Sequence, residues 1–344
     1  MKPLQDLVRP NIWALQPYSC ARDEFQGEAS VYLDANENPF NAPINRYPDP
    51  RQTNLKERLS VVKGIPVENI CLGNGSDECI DLIYRIFCEP AQDNVVAIAP
   101  TYGMYRVCAD INNVAYREVL LDSDFQLNAT RLLGVCDAHT KVIWLCSPNN
   151  PTGNCLNHST IQRVLREFDG IVVVDEAYSD FADQPLFRHE LKQWPNLVVL
   201  NTFSKCWASA GIRLGMAFAS KEIIELMHRV KYPYNINTLT QRQALDVLSE
   251  IQKIDLWRAT LLRERMQMLP AIAELPICEK VYPTDANFFL AKMTDAKAIY
   301  QYLMKQGIIV RDRSRVQLCD NCLRITIGTP QENNTLLGAL RRFR

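Results

Sequence analysis

No stretch of the chain is apolar for the roughly 20 residues that a bilayer-spanning helix needs. The first residues, Met1-Lys2-Pro3-Leu4-Gln5-Asp6-Leu7, hold no apolar signal core. A membrane protein is therefore not expected, and a cytoplasmic location is. Neither charge is in excess: 38 Lys and Arg stand against 39 Asp and Glu, a net charge of -1. Such a balance gives no polyanion-binding surface and no reason to expect nucleic acid as a partner. Repeats, low-complexity tracts and long charge runs are missing too. Neither a G-x-G-x-x-G fingerprint nor a P-loop occurs, which leaves dinucleotide and ATP readings little support. Cysteine is plentiful at 12 residues, but disulfides are not expected without an export signal in a chain of this length. Cys71, Cys79, Cys88, Cys108, Cys136 and Cys146 sit in or beside apolar segments and read as small buried hydrophobes. Cys319-Asp320-Asn321-Cys322 is a lone C-x-x-C, and His139, His158, His189 and His228 form no ligand pair. Structural zinc needs four ligands, so no metal is expected.

What is present is a composition of 47% hydrophobic and 22% charged residues over 344 positions, a soluble globular chain too long for one compact core. From about residue 70, short apolar runs alternate with amphipathic stretches. Ser76-Asp77-Glu78 starts a helix with Ile80, Ile83, Ile86 and Phe87 on one face. Strands are expected at 94–100, 141–148, 170–175, 197–201 and 214–219, with a helix at 158–169 between two of them. This alternation predicts an α/β fold, a mainly parallel mixed sheet with helices on both faces. After Ser220 the pattern changes. A long helical region over 221–275, broken near Tyr232-Pro233, leads to strands at 286–292, 308–311 and 323–327, a helix at 295–306 and a terminal helix. That reads as a smaller α+β domain. The expected division is an N-terminal arm over 1–40 packing with the small domain, a large domain over 41–220 extended by helices to about 255, and a small domain over 256–344.

In open α/β sheets ligands bind at the carboxyl ends of strands, and several unusual polar residues fall there. Asp175 ends the run Ile171-Val172-Val173-Val174. A carboxylate there is costly without a partner; it either caps the next segment or pairs with a protonated heterocycle nitrogen. Ser204-Lys205 follows the run 197–201. An arbitrary lysine is a solvated loop residue, but Thr202, Ser204 and Arg213 surround this one, and hydroxyls with an arginine make a phosphate cradle. Desolvation in a cleft would make it a nucleophile. Gly73-Asn74-Gly75-Ser76-Asp77 leads into a helix, which suits either an anion site or an ordinary turn. Ser147 to Gly153, by composition alone, is a loop.

Together these stretches, with Tyr18 to Arg22, Leu33 to Pro39, Arg46-Tyr47-Pro48, Pro100 to Tyr105, Asp175 to Tyr178, Gly211 to Gly215, Gly307 to Asp312 and Leu323 to Thr329, resemble the fold-type I pyridoxal-phosphate aminotransferases of class I/II. The resemblance covers nearly the whole chain and is strongest with the branch acting on L-histidinol phosphate. It implies pyridoxal 5'-phosphate as cofactor and Lys205 as the catalytic lysine that carries it. Asp175 is then the partner of the ring nitrogen, Tyr178 and Asn150 of the ring oxygen, and Tyr102 stacks on the ring. Ser76, Asp77, Thr202, Ser204 and Arg213 hold the phosphate, with Tyr47 of a neighbouring subunit, which implies a homodimer with shared sites. Tyr18, Arg22, Asn150, Arg311 and Arg324 are the implied substrate contacts. The implied reaction is amino transfer from L-histidinol phosphate to 2-oxoglutarate, in histidine biosynthesis. Same-fold alternatives are an aromatic amino acid aminotransferase and a threonine-phosphate decarboxylase. A regulator built on this fold carries an added DNA-binding domain, for which the residues before Asp34 leave no room.

Overall fold

The structure, a computed structural model, describes residues 2–19 and 29–343. Its larger sheet has seven strands: β1 (Ile70–Asn74), β2 (Asn94–Ala99), β3 (Ala115–Leu120), β4 (Thr140–Cys146), β5 (Ile171–Asp175), β6 (Leu197–Thr202) and β7 (Leu214–Ala219). They lie in the order β1-β7-β6-β5-β4-β2-β3. Strands β2 to β6 pair in parallel, and β7 runs antiparallel to both β1 and β6. The apolar runs of β2, β5, β6 and β7 are buried along their length, as a sheet covered on both faces requires. The expected mixed, mainly parallel sheet is the one observed.

Two of these strands were not legible in the sequence. β1 ends in Gly73-Asn74, which reads as the start of a turn. β3 is an edge strand with mostly exposed or half-buried positions and charges at Arg117 and Glu118, so it lacks a continuous apolar run. The helix at Ser76–Phe87 forms where expected and buries Ile80, Ile83, Ile86 and Phe87 under the sheet.

The helical region after Ser220 resolves into Lys221–Val230, Thr238–Ser249 and Ile251–Ala273. Ser220 and Asn237 cap the first two, accepting from Ile223 N–H at 3.4 Å and Thr240 N–H at 2.9 Å. Along the third helix the packing changes partner. Ile254 joins the core of the large sheet, whereas Met268 and Ile272 join the core of a second sheet. That sheet is antiparallel, with β8 (Cys278–Val281), β9 (Phe288–Met293), β10 (Arg311–Asp312) and β11 (Cys322–Thr326) in the order β10-β11-β9-β8. Of the strand expected at 308–311, only Arg311 lies in β10.

The arm departs from expectation over residues 4–13. Leu7, Val8 and Ile12 enter the large-sheet core with Ile83 and Ile86 rather than the small unit. Arg9 N–H donates to Ile86 O at 2.9 Å, and the Arg9 guanidinium pairs with Glu89 at 3.1 Å. The described cysteines are all free thiols; Cys71, Cys79, Cys88, Cys108 and Cys146 are buried and Cys136 is half-buried. Among the described residues no helix is long and apolar enough to cross a membrane.

Candidate active site

The turn after β6 sets the lysine. Phe203 is buried and stacks on Trp207, ring centroids 5.0 Å apart, which anchors the turn in the core. Thr202, Ser204 and Lys205 line the cavity. The Thr202 hydroxyl lies 3.0 Å from the Ser204 hydroxyl and accepts Ser204 N–H at 3.1 Å. Arg213 stands at the start of β7 in a left-handed conformation, φ 53°. Its Nη1 is 3.5 Å from Ser204 Oγ and its Nη2 3.5 Å from Asp77 Oδ2.

Two glycines let these groups meet. Gly215 pairs with Gly73 in β1 and with Thr202 in β6. A Cβ on Gly215 would strike the backbone of Gly75 and Ser76. Gly75, at φ +80°, leaves the space that the Arg213 guanidinium fills. The amino end of the helix Ser76–Phe87 is thereby held against Thr202, Ser204 and Arg213. Its free N–H groups and helix dipole add positive potential to the two hydroxyls and the guanidinium.

Asp175, at the end of β5, is buried. It accepts from the Tyr105 hydroxyl at 2.7 Å and from Ala177 N–H at 3.0 Å. Burial pushes its pKa up from the usual carboxylate value; these two hydrogen bonds pull it back. Tyr105 is fixed in turn, stacked on Trp144 at 4.9 Å, while Tyr84 donates to its carbonyl at 2.7 Å. Tyr102 meets Tyr105 edge to face at 5.6 Å, and its hydroxyl donates to Asp77 Oδ1 at 3.1 Å.

Beyond β4, Asn149 is tied into the loop through Pro100 O at 2.9 Å and Thr152 Oγ1 at 2.8 Å, so Asn150 is the residue that faces the cavity. Asn150 donates to the Tyr178 hydroxyl at 3.3 Å and accepts from Arg324. The Tyr178 ring packs edge-on to Phe288 at 5.0 Å, and Lys205 Nζ lies 5.4 Å from the Tyr178 ring centre. Burial, then the charge of Arg324, lower the pKa of Lys205.

The second sheet and the turn after β10 supply the last wall. Arg311 on β10 stands opposite Arg324 on β11. Arg313 lines the same cavity. None of these three has a carboxylate in ion-pair range among the described residues. Like charges directly opposite in a ladder are destabilising, so this end of the cavity suits a bound anion.

One cavity of about 400 Å³ thus gathers Ser76, Asp77, Tyr102, Asn150, Asp175, Tyr178, Thr202, Ser204, Lys205, Arg213, Arg311 and Arg324. Two expected residues lie elsewhere. Tyr47 stacks on Tyr234 at 4.5 Å beside a separate cleft formed by residues 35–37, 44–48 and 237–239. Tyr18 lines another cleft with Arg51, Lys56 and His228, on the side where Arg229 holds Trp13 O at 2.9 Å. Arg22 lies outside the described residues. The sequence reading assigned no role to Tyr105 or Arg313. Tyr105 lies inside the stretch Pro100 to Tyr105, and Arg313 follows Arg311 by two residues, just past the end of β10.

Fold and cavity define an α/β protein with a lysine-centred site between two cationic ends. The family model described as aminotransferase class I and II matches residues 30–340. A histidinol-phosphate aminotransferase of Bacteroides thetaiotaomicron is 59% identical over 344 residues, covering 100% of this chain and 99% of that one. The chain belongs to the class I and II aminotransferases, and within them to the group of histidinol-phosphate aminotransferases. Among solved structures, the histidinol-phosphate aminotransferase from Clostridium acetobutylicum superimposes with a TM-score of 0.80 at 24% identity, covering 87% of this chain and 90% of that one. The L-threonine-O-3-phosphate decarboxylase from Porphyromonas gingivalis gives 0.73 at 23% identity, covering 86% and 93%. Those two likenesses speak to fold alone, and they span two different reactions.

Proposed function

We propose that the chain transfers an amino group from L-histidinol phosphate to 2-oxoglutarate, giving imidazole acetol phosphate and glutamate, with pyridoxal 5'-phosphate as cofactor. The observation that carries this is the pair of cationic ends on either side of Lys205 and Asp175. One end suits the phosphate of the cofactor and the other an anionic substrate.

The residues present fit the cofactor. Ser76, Thr202, Ser204 and Arg213 at a helix amino end would hold a phosphate ester. The buried Asp175 would face a protonated ring nitrogen, Tyr178 and Asn150 a ring hydroxyl, and the Tyr102 ring a flat heterocycle. Lys205 is the amine for an aldehyde. When bound, the cofactor supplies an electron-accepting ring for the pair left as the substrate Cα loses its proton.

Each residue's part follows from its surroundings. Asp175, out of water and held by Tyr105 and Ala177 N–H, gives a fixed negative charge. That charge keeps a ring nitrogen protonated. Lys205, with its pKa lowered by burial and Arg324, holds more of its amine neutral near pH 7. Its Nζ would take the proton from the substrate Cα and give it up to the carbon that carried the cofactor's aldehyde, so that the amino group stays behind when the oxo product leaves. Arg311 and Arg324 orient the donor by its phosphate, and the acceptor by a carboxylate.

We infer further that two copies share their sites. Tyr47 lies outside its own chain's cavity, close in sequence to the exposed Val31, Leu33, Phe40 and Ile44. Such a patch marks an interaction surface. A second copy that covers it would receive Tyr47 near its cofactor phosphate. A cytoplasmic location and a division into large and small domains near residue 255, within the helix Ile251–Ala273, complete the reading.

The test is a donor screen with 2-oxoglutarate, comparing histidinol phosphate, histidine, phenylalanine and threonine phosphate. Histidinol phosphate should give the highest kcat/KM with glutamate as product. A preference for phenylalanine, or carbon dioxide released from threonine phosphate, would replace this reading by a same-fold alternative.

A further inference from the structure

The cavity holds a fourth arginine, Arg313, beside Arg213, Arg311 and Arg324. Arg311 in β10 and Arg313, just past its end, both line the cavity, and Arg324 lies across from Arg311. Arginines with internal roles in this chain use their donors. Arg188 reaches Glu176 at 3.0 Å, Ser179 at 3.1 Å and Asp180 at 3.2 Å, and Arg265 donates to Ala286 O at 2.9 Å. Arg313 differs. Its Nε is buried with no acceptor, as is that of Arg188, but among the described residues its terminal Nη groups have no hydrogen-bond or ion-pair partner either. Burial, then Arg324 and Arg311, lower its pKa to about 10. A guanidinium kept against two others, with its donors unengaged, is not explained by packing.

We propose that Arg313 is a specificity-determining residue: with Arg311 it binds the dianionic end of a phosphate monoester, and so favours a phosphorylated amino donor over a monoanionic carboxylate at this end of the cavity. A phosphate monoester near pH 7 carries roughly -1.5 to -2 and three terminal oxygens. A carboxylate carries one charge and two oxygens, which a single guanidinium can satisfy in bidentate fashion. Arg324 is already fixed by Asn150 beside Tyr178, and it serves the anionic group of either substrate. A third guanidinium adds attraction where the ligand brings a third oxygen and a second charge. This assignment rests on the proposed reaction for its donor.

The test measures the two half-reactions of the holoenzyme separately, for wild type, Arg313→Gln and Arg313→Lys. Arg313→Gln should lower kcat/KM for histidinol phosphate by about tenfold or more, chiefly through KM. The half-reaction with 2-oxoglutarate should change by less than about threefold, and Arg313→Lys should recover part of the loss. In a parallel arm, inhibition by inorganic phosphate should weaken in Arg313→Gln while inhibition by acetate does not. Equal losses in both half-reactions, or none in either, would overturn the proposal, as would unchanged inhibition by phosphate. A wild type that ignores histidinol phosphate yet loses phosphate inhibition in Arg313→Gln would sink the proposed reaction and leave Arg313 as the phosphate residue.

Discussion

The Tyr105 hydroxyl donates to Asp175 Oδ2 at 2.7 Å, from a ring stacked on Trp144. This contact holds a carboxylate that burial would otherwise push toward its neutral form. In the cofactor-free protein the raised pKa means that ionised Asp175 subtracts stability at pH 7. The penalty is absent below the unfolded carboxylate pKa of about 3.9, where the group is protonated in both states. Asp175→Asn should therefore raise the Tm of the cofactor-free protein at pH 7, and the difference should shrink toward pH 4. The same substitution should lower turnover of the holoenzyme by about 100-fold or more. Melting curves across pH and steady-state rates check both halves. A variant with near wild-type turnover would remove Asp175 from the chemistry.

Gly215 has no chemistry of its own, yet the phosphate end depends on it. Its missing Cβ lets β7 pass the backbone of Gly75 and Ser76. Gly215→Ala should push the helix amino end away from Thr202 and Ser204. Overpacking of this kind costs about 1–3 kcal/mol, so cofactor affinity should fall by about tenfold. A fluorescence titration with pyridoxal phosphate reads this directly. Unchanged affinity with lowered Tm would make Gly215 a packing residue alone.

Most of this was legible because the local signals agreed. Val172 to Val174 and Val198 to Val199 are β-branched runs ending in polar residues, and a strand end followed by Asp175 or Lys205 points at a cleft. The parts that were not legible depend on distant residues. β1 is a strand because Gly73 pairs with Gly215, about 140 residues away. Tyr105 gains its role from Asp175, which no helix periodicity reveals. The arm's packing on Ile83 and Ile86 comes from Leu7, Val8 and Ile12, whose partner helix lies about 70 residues further along the chain. Tyr47 lies outside its own chain's cavity, so its part depends on what a second copy brings.

That part can be tested by mixing two damaged chains. Lys205→Ala lacks the base. Tyr47→Asp would set a carboxylate beside a phosphate, where like charges repel. Each homodimer should be poor. In a hybrid dimer one site carries both lesions and the other carries none, so co-expression should restore up to about half of wild-type activity per hybrid. Hybrids confirmed by native mass spectrometry that stay as inactive as their parents would mean that Tyr47 serves its own chain.

The central claim is that Lys205 is the amine that carries the cofactor. Its neighbours support it: Asp175, Tyr178, Ser204, Arg213 and Arg324 line the same cavity, and burial and Arg324 lower its pKa. Borohydride reduction of the yellow holoenzyme, followed by peptide mapping, reads the attachment directly. The account predicts one pyridoxyl group per chain, on Lys205, and none in Lys205→Ala. A pyridoxyl group on another lysine, such as the buried Lys56 or Lys63, would contradict it.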